Sequence, residues 1–417
     1  MEIKEEKDKI NCRFCDSELS HIFVSLGLSP LSNTYLSKEQ LRRKEPVFPL
    51  DAYVCQKCFL VQLPEVESPK NIFGDDYAYF SSYSETWLKH TKEYTDKMVK
   101  LLGLNKKSYV VEVASNDGYL LQNFIPMGIP VLGIEPARNV AEVARKKGVP
   151  TETVFFGVET AKRLSFGGRL PDLLLGNNVL AHVPDLNDFI QGLKILLKPG
   201  GIITIEFPHL MKLIEDMLFD TIYHEHFSYF SFLTVEKVFA FHGLAIFDVE
   251  RISTHGGSLR IYAKRIGDAS KQISNNVLEL CAEEKAGGYN TLRPYLNFSV
   301  RVVEKKMEIL EFLINAKKNK HTVVGYGAPA KGNTLLNYCG IKSDFISYTV
   351  DRNPYKQGKY LPGSHIPIEA PEKIRITKPD FVFVLPWNIK DEVMEQMSFI
   401  REWGGKFVIP IPKFEVV

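Results

Sequence analysis

The rhythm of hydrophobic and polar positions changes three times along the chain. Up to about residue 75, short apolar runs such as 54–63 sit between turn-forming residues, which predicts a small, turn-rich unit. From about 88 to 265, compact apolar runs at 108–113, 131–134, 173–175 and 202–206 read as buried strands. Amphipathic stretches and turns such as Lys198-Pro199-Gly200-Gly201 separate them. Strand–helix alternation of this kind predicts a mainly parallel sheet with helices on both faces. Residues 270–318 read as helical and end in the basic run Lys317-Lys318-Asn319-Lys320. A second, smaller strand–helix set follows, with strands expected at 322–326, 345–350, 380–385 and 406–409. The first of these enters Gly325-Tyr326-Gly327-Ala328 and the second ends at Asp351. This set reads as a nucleotide-binding-like domain. There is no internal repeat or low-complexity segment.

Composition narrows the class. The 417 residues are 45% hydrophobic and 24% charged, enough for two or three domains with their own cores. The 52 Lys and Arg nearly balance the 50 Asp and Glu, a net charge of +2, which gives no electrostatic reason to expect nucleic acid or membrane as a partner. No apolar stretch approaches bilayer length. The opening MEIKEEKDKINC is charged and mixed in sign, unlike a signal peptide, so a cytoplasmic protein is expected.

Six cysteines are too few for a disulfide scaffold of this size, and four of them are paired in sequence: Cys12 with Cys15, and Cys55 with Cys58. Two C-x-x-C knuckles suit a tetrahedral zinc ion held by four thiolates. The 39 residues between Cys15 and Cys55 require a small subdomain to grow between the knuckles. The competing reading is four buried or redox cysteines. With four protein thiolates the site is closed and structural, silent about any reaction.

The strand ending at Val113 carries Glu112, then Ala114, Asn116 and Gly118. These positions match the acid-x-Gly-x-Gly-x-Gly loop of methyltransferases, with Ala and Asn in place of the first two glycines. Small residues let the backbone approach the amino-acid part of a cofactor, and Asn tolerates left-handed backbone angles. Glu135 ends the next strand, where an acid can accept hydrogen bonds from ribose hydroxyls. Asn177 and Asn178 follow the strand at 173–175 at another carboxyl end. The loop departs further from the G-x-G-x-x-G form of NAD sites than from the methyltransferase form.

Titratable and aromatic groups concentrate in Tyr223-His224-Glu225-His226-Phe227-Ser228-Tyr229-Phe230. A base of near-neutral pKa, a carboxylate to orient it and a phenol to polarise a carbonyl are the parts needed to remove a proton beside a ketone. On an extended segment His224 and His226 would share one face and Glu225 the other. The bland alternative is a structural loop whose polar groups bond to backbone.

These strings, together with Asp76-Tyr77-Ala78-Tyr79-Phe80-Ser81-Ser82, Thr254-His255-Gly256-Gly257-Ser258-Leu259-Arg260 and Gly325-Tyr326-Gly327-Ala328-Pro329-Ala330-Lys331-Gly332-Asn333, resemble the sugar C-methyltransferases. The likeness is to the C-3′-methyltransferases of nucleotide-linked deoxy-keto sugars, over essentially the whole chain and in the same domain order. It implies an α/β protein of three domains. A zinc-binding domain would span 1–75, and a Rossmann-like S-adenosylmethionine-dependent methyltransferase domain 76–290. A C-terminal Rossmann-like α/β domain at 291–417 would help bind the nucleotide sugar. It further implies His226 as the base that removes the proton beside the 4-keto group, with Glu225, Tyr223, Tyr77 and His182 assisting. Tyr79, His224, His255, Ser258, Arg260, Lys331 and Asn333 become candidates for the nucleoside diphosphate sugar, Lys331 for its diphosphate. The expected cofactors are S-adenosylmethionine and structural zinc, and the expected state is a monomer. Chemistry supports the assignment: a sugar C–H is not nucleophilic, whereas the enolate formed beside a ketone can attack a methyl donor. The sequence leaves three rivals open: a sugar-nucleotide oxidoreductase using NAD, a non-catalytic zinc-dependent interaction protein, and methyl transfer to oxygen or nitrogen.

Overall fold

The computed structural model describes residues 9–68 and 80–417, which form three sheets. The expected site residues Tyr77 and Tyr79 lie outside the described residues.

The first sheet is built on β1 (His21–Ser29), β2 (Phe48–Val54) and β3 (Val61–Gln62), all antiparallel. Its fourth strand comes from far along the chain: Ser228–Tyr229 pairs with β3 directly after the cluster at 223–226. The cysteine module and that cluster are therefore joined by backbone hydrogen bonds.

A long helix, α1 (Glu85–Leu102), leads into the second sheet. Ser84 caps it by accepting from Trp87 N, and Gly103 ends it in the left-handed conformation. The central strands of that sheet are mostly apolar, as burial on both faces demands. They are β4 (Val110–Val113), β5 (Val131–Ile134), β6 (Thr151–Glu152), β7 (Leu173–Asn177) and β8 (Ile202–Pro208), all parallel. A hairpin of β9 (Leu244–Ile252) and β10 (Ser258–Arg265) completes it, giving the spatial order β9-β10-β8-β7-β4-β5-β6 with β10 antiparallel to both neighbours. The hairpin's turn is the Thr254–Gly257 motif, which sequence periodicity did not place in a turn. Gly256 there adopts φ +89°, and a Cβ on it would lie 2.6 Å from the Trp387 ring.

The expected helical span 270–318 resolves into α2 (Asn275–Ala286), a short turn of helix at Arg293–Leu296 and α3 (Phe298–Lys318). The break falls at Gly287-Gly288 and Pro294. In the third sheet β11 (Val323–Tyr326) is central, with the order β13-β12-β11-β14-β15-β16. These strands are β12 (Thr349–Val350), β13 (Ile368–Glu369), β14 (Phe381–Val384), β15 (Lys406–Ile409) and the antiparallel β16 (Glu415–Val416). The run at 345–350 pairs only over its last two residues. Its start is a turn, because Phe345 N and Ile346 N both bond back to Lys342 O. Helix α4 (Ala330–Cys339) follows β11 across the glycine loop. No helix among the described residues is long and apolar enough to cross a membrane.

Candidate active site

The sulfurs of Cys12, Cys15, Cys55 and Cys58 all lie within 4.8 Å of one another, with Cys12–Cys58 and Cys15–Cys55 at 3.5 Å. Thiolates around one zinc ion sit roughly 3.8 Å apart, given Zn–S bonds of about 2.3 Å, so the donor set fits that metal. The two knuckles repeat each other. Asp16 N bonds to Cys12 O and Phe59 N to Cys55 O, both at 2.9 Å, with Asp16 and Phe59 in the left-handed conformation. Gln62 Nε2 donates to Cys12 Sγ at 3.2 Å and Lys57 N to Cys55 Sγ at 3.4 Å, outer contacts of the kind that settle thiolate ligands. Cys281 and Cys339 stand apart as free thiols.

A cavity of about 380 Å³ opens at the carboxyl ends of β4, β5 and β7, where ligands bind in open α/β sheets. Its first half is built by the loop after β4. Ala114, Asn116 and Gly118 have φ of +57°, +48° and +76°, so the backbone is left-handed at all three places although only one is glycine. At Gly118 a Cβ would come 2.9 Å from Val149 Cγ2. Asn116 Oδ1 accepts from Ser81 N at 2.8 Å, tying the start of α1 to the loop. The Glu135 carboxylate accepts from Asn116 N and Ala137 N, both at 2.9 Å. Burial pushes its pKa up to about 7 against those two donors. Asn177, 6% exposed and lining the cavity, has neither side-chain polar atom bonded within the described protein. A buried amide of this kind suits a ligand's polar edge. The loop, Glu135 and Asn177 together fit an adenosine-bearing cofactor. Glu112 lies within β4, off the cavity wall. Burial holds its carboxyl well above the usual carboxylate range, with a Tyr119 hydrogen bond acting the other way.

The second half is the cluster at 223–226. It is a turn, closed by His226 N to Tyr223 O at 2.8 Å, rather than an extended segment. Glu225 and His226 consequently both face the cavity, while His224 turns away to bond Pro49 O at 3.1 Å and pack on Phe48. His226 Nδ1 is 2.9 Å from the Thr221 carbonyl, so it must carry the proton, leaving Nε2 as a lone-pair acceptor. His182 is fixed in the same way, Nδ1 donating to Glu225 O at 2.8 Å. Burial pulls both imidazoles down, His182 to about 4 and His226 well below its ordinary value, the latter helped by His182. The Tyr223 ring lies 4.0 Å from that of His226, centroid to centroid. The Glu225 carboxyl accepts from Asn33 Nδ2 at 2.6 Å, and its pKa is pushed up to about 7 by burial.

The third wall brings in the C-terminal sheet. Lys331 lines the cavity, donates to Asn388 Oδ1 at 2.7 Å and sits 4.6 Å over the Trp387 ring. Burial lowers it to about 8, with Asp220 raising it. Trp387 Nε1 donates to Asp220 Oδ2 at 2.6 Å, which locks the two large domains together beside the site. His255, held by Asn178 at 3.1 Å, also reaches the cavity.

Other sequence candidates lie elsewhere. Arg260 is in the sheet, paired with Glu206 at 2.8 Å and Glu250 at 3.2 Å. The Ser258 hydroxyl bonds Thr254 O, and Asn333 Nδ2 bonds Ser32 O at 2.6 Å; none of the three lines the cavity. Sequence reasoning missed Asn33, Trp87 and Lys356, which do. All three arrive by tertiary contact, and no motif spacing marks them.

Comparison with known proteins gives three family matches in chain order: a zinc binding domain over 12–73, a methyltransferase domain over 87–249 and a C-methyltransferase C-terminal domain over 253–412. Over 406 residues the chain is 37% identical to the C-methyltransferase NovU of Streptomyces niveus, spanning 97% of this chain and 96% of that one. A ubiquinone biosynthesis O-methyltransferase of a Chelativorans species is 28% identical over 97 residues, 23% of this chain and 38% of its own. Among solved structures, an S-adenosylmethionine-dependent methyltransferase from Clostridium acetobutylicum aligns over 43% of this chain and 92% of its own, with 14% identity and a TM-score of 0.35.

Proposed function

We propose, since the chain belongs to the family of S-adenosylmethionine-dependent C-methyltransferases with an N-terminal zinc-binding domain, that it methylates C-3 of a nucleotide-linked 4-keto-6-deoxy sugar through an enolate. The observation that carries this reading is the His226 imidazole, whose unprotonated Nε2 is set by the Thr221 carbonyl in a cavity shared with the cofactor loop. A base so placed is needed for transfer to carbon.

S-adenosylmethionine, when bound, supplies a methyl group on a positively charged sulfur. The loop at Ala114–Gly118, with Glu135 and Asn177, would hold it. His226 Nε2 would take the C-3 proton and leave the C–H electron pair in the enolate, whose carbon would be the acceptor for the sulfonium methyl, the C–S electron pair remaining on sulfur. The proton leaves His226 to water afterwards. Low basicity is no obstacle here, because imidazolium and enolate charges arise together in a buried site and stabilise each other. Tyr223, packed on the base, and Glu225 orient the sugar. His182, neutral and edge-on to His226, keeps the base from turning. Lys331 supplies the positive charge for the diphosphate, carried by a domain whose glycine loop follows a strand as phosphate loops do.

The test is incubation with a panel of thymidine, guanosine and cytidine diphosphate 4-keto-6-deoxy sugars. Proton–carbon NMR should show a new methyl bonded to C-3. A methyl on oxygen or nitrogen would replace this reading with the corresponding transferase.

A further inference from the structure

The connection between β1 and β2, residues 30–47, leaves the cysteine module and crosses the molecule. Its contacts are built, not incidental. Ser32 O accepts from Asn333, and Tyr35 Oη donates to Ala328 O at 2.6 Å while lying 3.3 Å from Asn33 Oδ1. Leu36 and Tyr360 exchange both backbone hydrogen bonds, and Glu45 accepts from Gly363 N and His365. Between these anchors Asn33 enters the cavity and donates to Glu225 Oε1 at 2.6 Å.

We propose that Asn33 is a positioning residue for the reaction: its carboxamide orients Glu225 in the cavity and favours the ionised carboxylate, so that the zinc module completes the active site instead of merely preceding it. This rests on the reading of Glu225 as a group that works on the sugar. An N–H donor on a buried carboxylate stabilises the charged form. Tyr35 on the same connection interacts electrostatically with Glu225, Lys356 and Asp351, and Tyr223, His182, His226, His255 and Lys331 share the cavity with Glu225. Lys356 bonds Ala328 O, pairs with Asp351 and faces the Tyr35 ring, while Asn33 Nδ2 donates directly to Glu225 Oε1.

The test compares wild type with Asn33→Ala, and with Asn33→Ser should alanine disturb the connection. Zinc content and S-adenosylmethionine affinity by calorimetry report an intact fold. The pH dependence of C-3 methylation should show its acidic limb, near pH 7 in wild type, moved up by about one unit in either variant. Turnover relative to wild type at the same pH then falls about fivefold at pH 7 and draws level by pH 9, with little difference in KM. A loss equal at every pH would overturn the proposal. If wild type methylates none of the panel sugars, the proposed function fails, and Asn33 is judged separately by infrared titration of the Glu225 carboxylate against Glu225→Gln. A midpoint raised in the Asn33 variants supports the proposal, and an unchanged midpoint overturns it.

Discussion

His182 and His226 meet edge to face, ring centroids 4.7 Å apart, and each is pinned through Nδ1 by a backbone carbonyl. Two neutral imidazoles in one buried site cannot both gain a proton without repulsion. Substituting His182 by Phe keeps the packing and removes that repulsion. We expect His182→Phe to retain S-adenosylmethionine binding and to lose activity through kcat by about tenfold, since the turn that carries the base loses the hydrogen bond from His182 Nδ1 to Glu225 O. His226→Ala should lose at least a thousandfold in kcat with cofactor affinity unchanged, measured by calorimetry and single-turnover kinetics.

Glu225 makes stability depend on pH. Its folded pKa of about 7 lies above the ordinary 4.5, so the native state holds the proton more tightly than the unfolded chain does. The associated cost is absent below about pH 4.5 and grows as pH rises to about 7, above which it is constant. Glu225→Gln removes it while keeping an acceptor for Asn33. The variant should therefore gain stability over wild type at pH 8, on the order of 3 kcal/mol at most, and little at pH 4.5. Denaturant unfolding at the two pH values checks this.

Ala114 holds a left-handed backbone at a place where other loops of this kind carry glycine. Ala114→Gly should relieve strain and raise stability by up to about 1 kcal/mol without weakening cofactor binding. Asn177→Leu should do the reverse: fold normally and bind S-adenosylmethionine tenfold or more weakly, by calorimetry.

Metal analysis should find one zinc per chain. Cys58→Ser should lose the metal, melt at a lower temperature and also lose activity, because the first sheet pairs directly with Ser228–Tyr229 beside the turn at 223–226.

The zinc ligands were fully legible, since two C-x-x-C pairs encode their own geometry. The half of the cavity at the strand ends was legible too, because strand ends place Glu135 and Asn177 at one edge of a parallel sheet whatever lies between them. The turn at 223–226 was legible in composition but not in direction. Periodicity set His224 beside His226, whereas the hydrogen bond from His226 N to Tyr223 O swings Glu225 inward and His224 out. Arg260 reads as a phosphate ligand only until its partners are known; Glu206 and Glu250 occupy it. Asn33 and Lys356 were hidden because each reaches the cavity through tertiary contacts that no motif spacing marks. For Asn33 the partner is Glu225, 192 positions away.

The most direct test of the enolate account is solvent-deuterium exchange at C-3 of a nucleotide 4-keto-6-deoxy sugar, followed by NMR without S-adenosylmethionine. Wild-type protein should wash deuterium into C-3, and His226→Ala, with cofactor binding intact, should not. Exchange that persists in His226→Ala, or methylation at C-3 that proceeds without loss of the C-3 hydrogen, would contradict the account.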